Sequence, residues 1–527
     1  MPAIFQSEKS YLLQLFLLYF ISNVFLLLNF NGVYWDDWSL AYQSPEIIKN
    51  IFAQNSFIWI GYLHIFLKNI GNGIYIYRIL VFFTYFGSGI CLFYILQRIK
   101  YIDKNSAFFI TLFFLLAPVN NARIALINTP PILMLGIFYF SFLLLTQYLD
   151  NKRTIIYRII ILSLFFISFL LESLLVFYSI VLLYIFYHLI EKNTGKLFIN
   201  FIVHYFDFII LPIVFFVLKH SLFKPYGSYV NYNALSPDYL KTVELTYESF
   251  DTSLYAPISQ ALMTAGSNLY LTILLFVIIL LVFRPRNTQR VIKNNFKNSS
   301  VMIFLLLSLI FFVVAVFPYC AVGKLPVLGN WSSRNQILVP LGMAFLIYFL
   351  IVIIAKLNKK IASILMGGLL AVFMMEDLFS YYRYQIDWFY QCSLMQQFQA
   401  SEVVKNYQTF VVEDTLEKRV WVNSGTLSIN WILKNALHEN TRLMVRNNQS
   451  LEVFKQTKMY PEHFAADWTY TPPVYLKLLI NKNYPLNLKN ITKLFIYNKF
   501  NPKKFEPTVK NLTEIKVVST PSADNLL

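Results

Sequence analysis

Charge is scarce in this chain, and so are cysteine and glycine. Only 13% of its 527 residues are Asp, Glu, Lys or Arg, against 57% that are apolar. No water-soluble protein of this size needs so much apolar surface. The three cysteines, Cys91, Cys320 and Cys392, have neither paired nor metal-ligand spacing, so they support no disulfide framework and no zinc site. With 16 glycines and no detectable internal repeat, the pattern of Gly/Pro-broken helices in two related halves, which marks many transporters, is missing. There is no Walker A loop, no GxGxxG after a strand, no HExxH and no Ser-His-Asp signature. These absences count against an ATP-driven pump and a membrane protease.

What the chain has is apolar length. Aromatic residues make up 18% of it, and the mean hydropathy is +0.54. Runs of roughly 18–22 apolar residues, the length that crosses a bilayer as helix, cover most of residues 11–381. The expected fold class is therefore a polytopic α-helical membrane protein of about eleven transmembrane helices. The segments are 11–30, 74–97, 106–118, 131–149, 155–171, 173–190, 205–220, 268–283, 300–318, 336–355 and 361–381. The first is too long for a signal-peptide core and lacks a small-residue cleavage site, so it is expected to remain as a helix.

The net charge of +17 is distributed as a topology signal. Arg98, Lys100 and Lys104 share one loop, and Lys152, Arg153 and Arg158 share another. Lys192 and Lys196 follow, then Arg284, Arg286, Arg290, Lys293 and Lys297, and finally Lys356, Lys359 and Lys360. On the eleven-helix count all these loops fall on one side, which the positive-inside rule makes cytoplasmic. The expected orientation is N-terminus in and C-terminus out, with no nucleic-acid partner needed to explain the charge.

Two domains are expected: 1–381 in the membrane and 382–527 outside the cytoplasm. In the tail, RVWVNSG (419–425), TRLMVRN (441–447), ITKLFIYN (491–498) and EIKVVS (514–519) read as short strands separated by helices, the pattern of a small α/β domain. The first external loop, 31–73, contains a stretch with helical apolar spacing, expected to lie at the membrane interface with His64 as an interfacial side chain.

That loop opens with NFNGVYWDDWSLAY, where Asp36 and Asp37 sit between Trp35 and Trp38. Carboxylates beside a membrane span are costly enough to need a reason. On the expected topology other charges gather at the same face: Arg78, Arg123, Glu172, Lys324, Arg334, Glu376, Asp377 and Arg383. Such a group of carboxylates and cations suits an anionic, polar substrate.

A carboxylate pair directly after the first helix resembles the hallmark of the GT-C class of membrane glycosyltransferases. The amphipathic helix in the same loop, the span number and the external C-terminal domain are similar to that class as well. The stretch GNWSSRNQILVPLG (329–342) looks like one that precedes a late helix in bacterial members. The resemblance implies a donor sugar on a polyprenyl phosphate, an acceptor that is a surface glycan or lipid-linked glycan, and a cell-envelope role in polysaccharide biosynthesis. It implies Asp36 as general base, with Asp37 orienting the acceptor, tuning Asp36 or binding a divalent metal ion. No other cofactor is implied.

Phosphate-binding candidates are Arg123 and Arg334, backed by Lys324, because a guanidinium fork matches phosphate oxygens. Glu172 completes the substrate-binding set. Tyr34, Trp35 and Trp38 are candidates for stacking on sugar rings. Plainer readings stand beside these: interfacial belting for the tryptophans, lipid or carboxylate pairing for the arginines, and simple turn punctuation for Glu172. The richness in Ile, Phe, Asn, Lys and Tyr points to an AT-rich, bacterial source, and so to the inner (plasma) membrane. Two competing functions remain open, a polysaccharide polymerase or ligase of the same pathway and a transporter or flippase of lipid-linked glycans.

Overall fold

In a computed structural model of the chain, the described residues are 8–71, 73–151, 154–192, 197–291, 298–329, 331–416, 426–456, 464–484 and 486–518. They are mostly helical, with one small sheet near the C-terminus. Eight helices among them are long and apolar enough to cross a membrane: Lys9–Leu28, Ile74–Leu96, Leu126–Asp150, Ser173–Glu191, Leu197–Leu222, Ser300–Cys320, Val339–Leu357 and Lys359–Ala400. The chain is a multi-pass integral membrane protein. A ninth candidate is a bent pair, in which Tyr239–Ser267 meets Leu269–Phe283 at 105°. Lys104–Leu115 and Ile155–Ser168 are apolar helices too short to meet the same criterion. All eleven expected segments overlap one of these helices.

The chain forms two compact units. The first comprises Met1–Leu28, Lys49–Ile124 and Asn128–Tyr381. Its helices are apolar nearly all round, as expected where every face meets protein or lipid. Two acidic exceptions are locally satisfied. Asp103 caps Lys104–Leu115 by accepting from the Ser106 amide at 2.8 Å. Asp207, a carboxylate inside an apolar helix, is clasped in a fork by Arg158, with Nε–Oδ2 at 2.7 Å and Nη2–Oδ1 at 2.6 Å. Close packing relies on Gly342, where an added Cβ would lie 2.6 Å from the Phe312 backbone nitrogen. A small residue is what lets two membrane helices approach that closely.

His64 corrects its expected interfacial placement. It is 1% exposed, its ring stacks between Phe52 and Tyr77, and Nδ1 lies 3.1 Å from the Tyr77 hydroxyl. Burial pushes its pKa down to about 3, so the imidazole is neutral at physiological pH.

The second unit joins Tyr382–Leu527 with Asn29–Ile48 and Ala125–Ile127. The C-terminal part of this unit begins at Tyr382, and the first part of the loop after the first helix groups with it. The sheet has order β2-β1-β3-β4. Its strands are β1 (Thr409–Asp414), β2 (Leu443–Val445), β3 (Val474–Ile480) and β4 (Thr513–Val518). β1 pairs in parallel with β2 and β3, and β4 closes the edge antiparallel to β3. The buried Asn430 side chain holds β2 from its flank, donating to the Met444 carbonyl at 2.7 Å and accepting from the Met444 amide at 2.8 Å.

The expected strands at 441–447 and 514–519 match β2 and β4. The stretch 419–425 lies outside the described residues. ITKLFIYN is helix instead, within Leu488–Phe500. Asn487 caps that helix, and Ile491 and Leu494 are buried at helical spacing, so capping and periodicity outweigh the strand preference of its Ile, Phe and Tyr. β1 and β3 were missed because FVV and VYLKLL lack the simple alternation of a half-exposed strand.

Candidate functional site

The loop carrying the carboxylate pair is rigidly built inside the second unit. Asn29 donates to the Tyr34 hydroxyl at 2.5 Å and accepts from the Gly32 amide at 3.1 Å. Tyr34 is fully buried and its hydroxyl donates a hydrogen bond to the Tyr384 carbonyl at 2.8 Å. A side chain at Gly32 would collide with both, since a Cβ there would lie 2.2 Å from Asn29 Oδ1 and 2.5 Å from the Tyr34 hydroxyl. Trp35 then adopts a left-handed backbone, φ 49°. For a bulky residue this is a strained conformation costing on the order of 1–3 kcal/mol, the kind that collects at functional sites.

The turn separates the two carboxylates. Asp37 is completely buried; Oδ2 accepts from the Tyr34 amide at 3.2 Å and Oδ1 from the Ile127 amide at 3.1 Å. Asp36 is half-exposed. One acid therefore organises backbone while its neighbour stays within reach of solvent.

The aromatic clamp divides in the same way. Trp38 is a buried anchor: its indole nitrogen donates to Gln391 at 3.0 Å, and its ring stacks on Tyr42 at 5.3 Å. Buried Tyr34 and Trp38 offer no open ring face, which corrects their expected role as sugar platforms. Trp35 remains half-exposed, edge-on to Tyr384 at 5.8 Å. The partners Tyr384, Gln391 and Trp388, whose ring lies 6.0 Å from that of Trp38, were not anticipated because the last helix was expected to stop at 381, whereas it runs to Ala400. Their i, i+4, i+7 spacing was a readable signal of one helical face.

The cationic candidates belong to the first unit. The segment Asn120–Ile124 is pinned to Trp331–Gln336: the Ala122 amide donates to Ser333 at 3.0 Å and the Asn120 amide to Gln336 at 3.3 Å. Arg123 points into the interior and is wholly buried. It donates through Nε to the Tyr381 hydroxyl and through Nη2 to Asn23 at 2.9 Å, with Tyr85 beneath its guanidinium at 4.4 Å. The buried Asp377 interacts with it electrostatically. This enclosure favours the structural reading of Arg123 over phosphate binding.

Arg334 is only half-buried. Its guanidinium lies over Trp331 at 4.0 Å and donates to the Tyr232 hydroxyl at 2.8 Å. Lys324 rests over the Tyr232 ring at 3.7 Å and donates to Asn233 at 2.5 Å. Burial, and then the adjacent Arg334 charge, push the Lys324 pKa down to about 8. Two cations share one tyrosine, and among the described residues neither forms an ion pair. An anion is what this arrangement lacks.

Glu172 is salt-bridged to Lys219, whose ammonium also rests over Phe57 at 4.4 Å. The pair gives Glu172 a structural partner, which simple turn punctuation does not need. Among the described residues no group of three or more His, Cys, Asp or Glu converges as a metal site. No family model matches this chain, and no curated protein matches it.

Proposed function

We propose that the protein is a membrane glycosyltransferase of the kind the GT-C resemblance implies. It moves a sugar from a polyprenyl phosphate to a cell-surface glycan or lipid-linked acceptor on the extracytoplasmic face. The proposed topology has eleven transmembrane helices, N-terminus in and C-terminus out, in a bacterial inner membrane. The single observation that carries the reading is the division of labour between two adjacent acids. Asp37 is buried on two backbone amides, and Asp36 is half-exposed at a strained turn.

The chemistry balances with the residues at hand. The acceptor hydroxyl oxygen forms a bond to the anomeric carbon as Asp36 takes its proton. The bond from that carbon to the phosphate oxygen breaks, and the phosphate leaves with the electron pair. Within the second unit Trp35 offers the sugar a ring edge and Asp37 holds the loop in register; the leaving phosphate needs a cation, for which Arg334 and Lys324 are the first unit's candidates. Arg123 supports its segment from within.

The test is mass spectrometry of surface glycans in the native host, comparing wild type, a gene deletion and Asp36→Asn at wild-type abundance. The expected result is loss of the same sugar residue in the deletion and in Asp36→Asn. If Asp36→Asn restores the full glycan to the deletion strain, Asp36 has no chemical role and the polymerase or transporter alternatives take its place.

A further inference from the structure

A second feature of the first unit lies apart from the cation pair and is independent of the transfer reading. Between the membrane-length helices is a groove of about 1030 Å³. Along Ser173–Glu191 its lining runs from Ile180 to Glu191, and along Ser300–Cys320 from Ser300 to Phe311. Each is eleven helical steps, about 16 Å at 1.5 Å per residue. That is close to half of the ~30 Å hydrocarbon core, the depth of one leaflet.

The groove is chemically polarised. Its deep part is walled by Tyr139, Phe142, Ile180, Phe311, Leu341 and Phe345. Its shallow end carries Lys100, Tyr187 and Glu191. The Tyr187 hydroxyl links the two residues, accepting from the Lys100 backbone amide at 3.3 Å and hydrogen bonding to the Glu191 carboxylate. Lys100 and Glu191 are nonetheless exposed, and among the described residues they form no ion pair with each other or with any third group. A cation and an anion at one mouth, held apart, match a headgroup that bears both charges.

We propose that this groove is a specific lipid site. Its occupant is a membrane phospholipid with an ammonium headgroup, its hydrocarbon in the deep part, its phosphate at Lys100 and its ammonium at Glu191. The rim residues Leu183 and Ile303, 43% and 58% exposed, open the groove sideways to the bilayer. Entry therefore needs no passage through water. The length match and the two mouth charges, without an ion-pair partner among the described residues, distinguish this groove from a featureless lipid-facing surface, which has neither.

The test uses the full chain reconstituted in nanodiscs of equal phosphatidylethanolamine and phosphatidylglycerol, followed by native mass spectrometry of retained lipid. Wild type is expected to retain phosphatidylethanolamine in preference to phosphatidylglycerol. Filling the groove with Leu183→Trp and Ile303→Trp should cut retention about tenfold, corresponding to about 1.4 kcal/mol. Ile213→Trp, on a lipid-facing surface elsewhere in the same unit, should leave retention intact. Glu191→Gln, an exposed change that does not threaten folding, should abolish the headgroup preference. Equal retention of the two lipids by wild type, or unchanged retention and preference across the variants, would overturn the proposal.

Discussion

Arg123 and Arg334 are two arginines of one helical unit, on segments hydrogen-bonded to each other, and the fold treats them in opposite ways. Arg123 is enclosed by tyrosines and an asparagine that take up its hydrogen bonds and its ring contact. Arg334 lies half-open on Trp331 and Tyr232 beside a second cation. A guanidinium with all its company inside the protein maintains structure. One that is stacked, oriented and left without an anion is prepared to receive one. Residue type is the same in both cases, and burial with partner charge decides the role.

The largest effect that would test this contrast is on Arg123. Arg123→Met leaves the Tyr381 hydroxyl and the Asn23 side-chain oxygen without their buried guanidinium donor and should cost about 3 kcal/mol of stability. Thermal unfolding in detergent should register a large loss, and adding Asn23→Leu should recover part of it, since replacing both partners of a buried hydrogen bond by apolar groups is tolerated better than removing one. Additive losses in that double-mutant cycle would break the assignment of the two as partners.

Arg334→Ala should do the reverse. Stability is expected to change by no more than about 0.5 kcal/mol, while sugar transfer falls by about 10²–10³. A folded, fully active Arg334→Ala protein would remove it from the phosphate site.

A smaller effect is expected in the second unit. Asp37→Ala leaves the amides of Tyr34 and Ile127 without their acceptor, which should cost about 1–3 kcal/mol. Asp36→Ala, at a half-exposed residue, should cost less than Asp37→Ala, and equal losses from the two changes would erase the distinction between them.

The mildest prediction concerns pH. On the proposed transfer function Lys324 would bind the donor phosphate only while protonated, so donor affinity should be highest below about pH 8 and decline as pH rises through that value. The stability effect has the opposite sign. Between about 8 and the ordinary value of 10.5 the unfolded chain holds a proton that the folded chain has released, so the Lys324 contribution to stability grows with pH. Donor-binding titrations of wild type and Lys324→Met should differ in their alkaline limb, and identical profiles would exclude Lys324 from the binding step.

Some of this was legible along the chain. Helices such as Ile74–Leu96 and Ser300–Cys320 are visible because an apolar run of membrane length has few alternatives. The change of composition near 382 marks the tail. β2 and β4 could be read from short β-rich segments, whereas ITKLFIYN misled because strand-favouring residues there follow a helix period behind an Asn cap. In the site, the carboxylate pair stood out by position, but nothing local distinguished Asp36 from Asp37, or Arg123 from Arg334.

The sequence alone therefore determined the solvent in which this protein lives, the approximate course of its membrane helices, and the turn where two acids meet two tryptophans. Those properties depend on hydrophobic length and neighbouring residues. Only the tertiary structure decided which acid is buried, which tryptophan is an anchor and which arginine is open. Those outcomes rest on contacts between residues far apart in the chain, such as Tyr34 with Tyr384 across 350 positions and Arg123 with Tyr381 across 258. Burial and the local dielectric are properties of such assembled surroundings, and no window of sequence contains them.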